Sequence, residues 1–193
     1  MKPEDFHRIV FESSDIGIYM TALSGELMSV NEAFARMMGF ASTTALLARM
    51  GGNPASLYAD PRQRDRLWNK VMTSGHLSNE VSEIARPDGL RMWVSESASM
   101  HGIGTPNAVL IGTVIDITEL VTSQQALRSA EERYRGLFEN AVDGTFISSL
   151  DGKMLDANQA LARINGYETP AELISAVNTL AIEWYVEPQR RND

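Results

Sequence analysis

LSGELMSVNEAFARMMGF, residues 23–40, returns later in the chain as LDGKMLDANQALARINGY, residues 150–167. The two stretches align without a gap at an offset of 127 positions. The same offset lays Phe11-Glu12 on Phe138-Glu139, Gly17 on Gly144 and Tyr58-x-x-Pro61 on Tyr185-x-x-Pro188. Roughly a quarter of the overlapped positions are identical, and turn residues match together with apolar ones, which is the mark of one structural unit repeated in tandem. The first copy runs on through further strand-like segments, while the second has no counterpart to anything beyond about Arg66. The expectation is one complete unit followed by the front half of another.

Ser24-Gly25 and Asp151-Gly152 read as two-residue hairpin turns, because glycine accepts positive φ. In the first copy they join strands over 17–22 and 26–30. Asn31 then caps a helix with Phe34 and Met38 one turn apart, and Gly39 ends it. In the second copy Thr169-Pro170-Ala171-Glu172 combines an N-cap, a first-turn proline and a capping-box glutamate. Asp60-Pro61 opens a further helix to about Thr73. Strands follow over 78–86, 90–100 and 107–117, the first two joined by the turn Pro87-Asp88-Gly89. Residues 108–115 are apolar almost without interruption, which predicts a central strand covered on both faces. Phe6, Ile9 and Val10, on an amphipathic helix over 3–13, are available as that cover. From Thr118 to about Asn140 the pattern is helical, with Leu120, Leu127, Tyr134 and Ala141 spaced by sevens, and it predicts a short parallel coiled coil.

Composition narrows the function. The chain has 193 residues, 44% hydrophobic and 22% charged, the balance of a globular protein. A net charge of −8 disfavours nucleic acid and anionic membrane surfaces. There is no cysteine, so thiol catalysis, disulfides and thiolate-bound metal are excluded. No apolar run approaches the ~20 residues of a membrane span, and a cytoplasmic location is expected. His7, His76 and His101 read as surface residues. Gly102-Ile103-Gly104 and Met50-Gly51-Gly52-Asn53 lack the context of a phosphate loop or a cyclase signature. No nucleophile, base or metal-ligand set assembles, so no catalytic residue is assigned and the chain is not expected to be an enzyme.

Phe11-Glu12…Gly17-Ile18, Asn31-Glu32-Ala33-Phe34 with Gly39-Phe40, Asp60-Pro61, Pro87-Asp88-Gly89…Trp93-Val94 and Asp116-Ile117-Thr118-Glu119 occur in an order that resembles the PAS sensor domain family. The resemblance implies an α+β fold: a five-stranded antiparallel sheet with flanking helices around a small cavity, a helical linker, and a truncated second module. The expected boundaries are 1–118 for the N-terminal helix and complete PAS domain, 119–132 for the linker helix and 133–193 for the incomplete second domain. The resemblance further implies a sensory tandem of a bacterial-type signalling protein, coupling ligand or partner input to an output domain of the parent through a dimeric linker helix. Asp116 and Thr118 would form the joint, with Thr118 capping the helix and Asp116 holding a partner across the junction. Leu120 and Leu127 would lie on the dimer seam. A flavin- or haem-binding redox or gas sensor is the alternative. The cofactor is unknown: a flavin–thiol adduct needs a cysteine, and 62–73 hold no histidine for haem. Tyr19, Phe34, Met38, Trp68 and Met72 fall where the resemblance puts cavity walls. Glu96 shares a strand face with Met92, Val94, Ala98 and Met100 by parity. A carboxylate there is costly unless paired, so it is expected to meet either an internal partner or a cationic or hydroxylated small-molecule ligand.

Overall fold

The computed structural model describes residues 3–50 and 54–177. The Phe6 and His7 side chains, Gly51–Asn53 and the Tyr185-x-x-Pro188 match lie outside the described residues. Two compact units divide between Ser123 and Gln124.

The first unit begins with helix α1 (Pro3–Ser13) and strands β1 (Gly17–Ala22) and β2 (Leu27–Val30). Helices α2 (Glu32–Met37) and α3 (Thr43–Met50) follow, then a 3-10 turn (Pro54–Leu57) and helix α4 (Pro61–Ser74). Strands β3 (His76–Ala85), β4 (Arg91–His101) and β5 (Val109–Asp116) complete a sheet of order β2-β1-β5-β4-β3, antiparallel throughout. Helix α5 (Thr118–Asn140) leaves from the end of β5.

Local chemistry sets these elements. Asp60 accepts from the Arg62 amide at 3.0 Å and Pro61 occupies the first turn of α4, which Gly75 closes in the left-handed conformation. Leu27, Val30, Phe34, Leu46, Leu67, Val71, Val94 and Val114 pack into the core between the sheet and α2–α4. Two expectations are corrected. The hairpin turns are three-residue loops: the Ala22 amide donates to Glu26 O and the Gly25 amide to Ala22 O, with Gly25 at φ 85. The glycine thus takes the last loop position, where the left-handed residue of a three-residue hairpin belongs. β5 does lie mid-sheet, but among the described residues only one of its faces is buried. Leu110 and Val114 are buried, whereas Ile111 and Ile115 are 38% and 45% exposed and Ile9 and Val10 are exposed as well. The outward isoleucines reflect the preference of β-branched side chains for strands rather than burial.

In the second unit, β6 (Phe146–Ser148) and β7 (Met154–Ala157) form a hairpin, followed by α6 (Gln159–Ile164) and α7 (Pro170–Ala176). Its loop repeats the first: Ser149 N donates to Lys153 O, Gly152 N to Ser149 O, and Gly152 has φ 86. α7 carries the full capping box between Thr169 and Glu172. Met154, Ala157, Leu161, Ala162, Leu173 and Val177 form its small core.

Candidate functional site

The first unit holds a cavity of about 70 Å³ between the sheet and helices α2 and α4. Tyr19, Phe34, Met38, Trp68 and Glu96 all line it. Met72 does not: it is 44% exposed on the outer side of α4, and Val71 and Leu67 face inward instead. Leu67 and Val71, one turn apart, form the buried face of α4, with half-buried Trp68 at its edge and Met72 outside the cavity.

Glu96 is the chemical centre. The alternation of β4 buries Met92, Val94, Glu96 and Ala98 on one face, with Glu96 only 6% exposed. Its carboxylate accepts from two tyrosine hydroxyls, Tyr19 through Oε1 and Tyr58 through Oε2, the latter at 2.8 Å. The carboxylate therefore has internal partners, one of the two expected outcomes. Tyr19 sits on β1, and β5 lies between it and Glu96. Its ring crosses β5 at Gly112, its direct partner in the sheet, where a methyl group would run into the ring. Tyr58 arrives from the end of the 3-10 turn, held against β3 by a bridge to Ile84 and by the Ala59 amide donating to Glu83 O. Neither Tyr58 nor Arg64 was expected from sequence. The glycine at position 112 inside an apolar strand was the readable signal for a close approach.

Burial pushes the Glu96 carboxyl above its ordinary range, against the opposing pull of the two tyrosine hydrogen bonds and of Arg64. Burial, reinforced by the Glu96 charge, also raises both tyrosines well above the usual phenol value, so they remain protonated donors at neutral pH. Arg64 stacks its guanidinium 5.2 Å from the Trp68 ring centre and donates to Gly25 O at 3.0 Å. Thr21, also on the cavity wall, is 5% exposed, and its hydroxyl has no hydrogen-bond partner among the described residues.

At the sheet exit the roles expected of Asp116 and Thr118 are exchanged. Asp116 makes the local bond, accepting from the Thr118 amide at 2.8 Å, while the Thr118 hydroxyl crosses to accept from the Trp93 amide of β4 at 2.9 Å. Ile117 N adds a bond to Trp93 O. A carboxylate two residues upstream of an amide suits an Asx-type turn, which frees the hydroxyl to reach the neighbouring strand. Leu120 and Leu127 are exposed on α5. His76 and His101 are at the surface.

A haem or flavin does not fit this site. The cavity is far smaller than the ~300 Å³ at which pockets for drug-sized ligands begin, and α4 offers no histidine. Among the described residues no group of three or more His, Cys, Asp or Glu is placed to hold a metal ion, and no helix is long and apolar enough to cross a membrane.

A sequence model of the PAS domain matches residues 5–73 and 132–192, in register with both copies of the repeat. The chain belongs to the PAS domain family. Sporulation kinase E of Bacillus subtilis is 42% identical over 110 residues, a match that covers 57% of this chain and 14% of that protein. Among solved structures, an RNA-binding Light-Oxygen-Voltage receptor superposes with a TM-score of 0.54 at 24% identity, covering 67% of this chain and 37% of its own. A PAS domain from Colwellia psychrerythraea gives 0.51 at 17% identity, covering 61% of this chain and 99% of its own. At these identities the structures bear on the fold alone, and the fold is the PAS fold.

Proposed function

We propose that this PAS tandem is a sensory segment of a signal-transduction protein, in which the first unit's cavity receives a small-molecule input and α5 carries the response to an output domain. One observation carries the reading: β4 holds both ends of the route. Glu96 faces the cavity, and three residues earlier the Trp93 backbone is bonded to Ile117 and Thr118 at the start of α5. A shift of β4 that follows rearrangement of the Tyr19–Glu96–Tyr58 cluster is thereby delivered to the first turn of the helix. Likeness to a sporulation kinase supports a sensor-kinase setting. The chain itself needs no catalytic group for this role, and a kinase or cyclase activity would belong to the output domain.

The seven-residue spacing of exposed Leu120, Leu127 and Tyr134 supports a parallel dimer along α5 as the form in which the signal travels. Helices so paired can hold two arrangements of similar free energy that a small strand shift biases. Hydrogen exchange tests the route. Glu96→Gln is expected to change exchange at the amides of 117–121, and adding Thr118→Val is expected to abolish that response. Identical exchange at 117–121 in the wild type and Glu96→Gln contradicts the proposal.

A further inference from the structure

We infer that the ligand of the first-unit cavity is a short aliphatic alcohol whose hydroxyl pairs with Thr21 Oγ1. The inference rests on the cavity being the input site. Size comes first: about 70 Å³ is roughly half the volume of an apolar cavity that admits benzene, which limits the ligand to about five non-hydrogen atoms. Most of the wall is hydrocarbon, from Leu27, Leu57, Leu67, Val71, Leu77 and Leu110, and suits an alkyl chain.

Head-group chemistry is set by the polar atoms. Thr21 is the one buried hydroxyl of the wall left without a partner among the described residues, and it both donates and accepts. Tyr19 and Tyr58 already direct their protons to Glu96, so what they and the carboxylate still offer is acceptor lone pairs. A hydroxyl takes the Thr21 proton and returns one to this acceptor-rich wall. The wall carries both Glu96 and Arg64, so neither an ammonium nor a carboxylate meets opposite charge alone. An ammonium gives the Thr21 proton no acceptor, and a carboxylate gives the acceptor-rich wall no proton.

NMR titration of the purified protein with 1-propanol, propylamine and propionate, and with xenon as an apolar probe, decides the matter. The expected result is saturable shifts at Thr21, Glu96 and Val114, with 1-propanol binding at least fivefold more tightly than the amine or the acid. Thr21→Val should weaken 1-propanol at least fivefold while leaving xenon binding in place, and Thr21→Ser should restore the alcohol's affinity. Tighter binding of the amine or acid, or a Thr21→Val effect below fivefold, overturns the assignment. If xenon enters and none of the three organic probes does, the alcohol is wrong and the cavity stands. If xenon is excluded as well, the cavity reading itself fails.

Discussion

Asn31 and Asn158 make the same four hydrogen bonds, yet the strands that they hold lie in different surroundings. Asn31 accepts from the amides of Ile18 and Phe34 and donates to the carbonyls of Phe11 and Ile16, all at 2.9 Å. Asn158 accepts from Thr145 and Leu161 and donates to Phe138 and Asp143, at 2.9–3.0 Å. Each partner in the second set lies 127 residues after its counterpart in the first. In both copies one buried amide ties an incoming helix, a strand and the following helix together. Beyond this frame the copies diverge. β1 lies between β2 and β5 and buries Tyr19, whereas β6 pairs with β7 and its Phe146, at the position of Tyr19, is 38% exposed. The frame is repeated, while Phe146 lacks the hydroxyl with which Tyr19 meets Glu96.

Cutting the frame should have the largest effect. Asn31→Ala leaves several buried backbone groups unpaired and is expected to cost the first unit about 3 kcal/mol. Asn158→Ala should leave the first unit within about 0.5 kcal/mol of wild type. Urea unfolding followed by Trp68 and Trp93 fluorescence in a Trp184→Phe background measures both. Gly112→Ala comes next: its methyl group displaces the Tyr19 ring from its path to Glu96, at a cost of about 1–3 kcal/mol. The same unfolding measurement checks it, and Gly17 and Gly144, matching positions where added bulk would meet Phe34 and Leu161, offer a paired test across the two copies.

Much of this frame was legible in the sequence, because caps and turns are local. Asp60-Pro61, Asn31 and the Thr169–Glu172 box each satisfy their own helix within a few residues, and the period of two placed Glu96 inward. The cavity cluster was only partly legible. Tyr58 and Arg64 reach it from a turn and a helix whose positions depend on packing across the sheet, and the unpartnered state of Thr21 exists only once its neighbours are fixed. The apolar run of β5 misled in the other direction, because strand preference and burial select the same residues.

A smaller effect concerns pH. Glu96 is held above its ordinary carboxyl value, so the folded protein binds that proton more tightly than the unfolded chain. The resulting stabilisation is complete below the ordinary carboxylate range and is lost as pH rises through the raised value. Urea midpoints measured from mildly acidic to neutral pH should show this decline in the wild type, and the decline should be absent in Glu96→Gln. Leu127→Asp should perturb folding least. It is expected to shift sedimentation toward monomer while changing stability by no more than about 0.5 kcal/mol, since the side chain is exposed.

Hydrogen exchange resolved to peptides tests most directly whether the first unit is the self-sufficient part of the chain. A hairpin with two short helices is marginal in water, whereas a five-stranded sheet over a full core is not. Amides of 17–22 and 94–98 are predicted to exchange far more slowly than those of 146–148 and 154–157. Equal protection of the two sets in a monomeric sample would contradict the account, because the second copy would then be as complete a domain as the first.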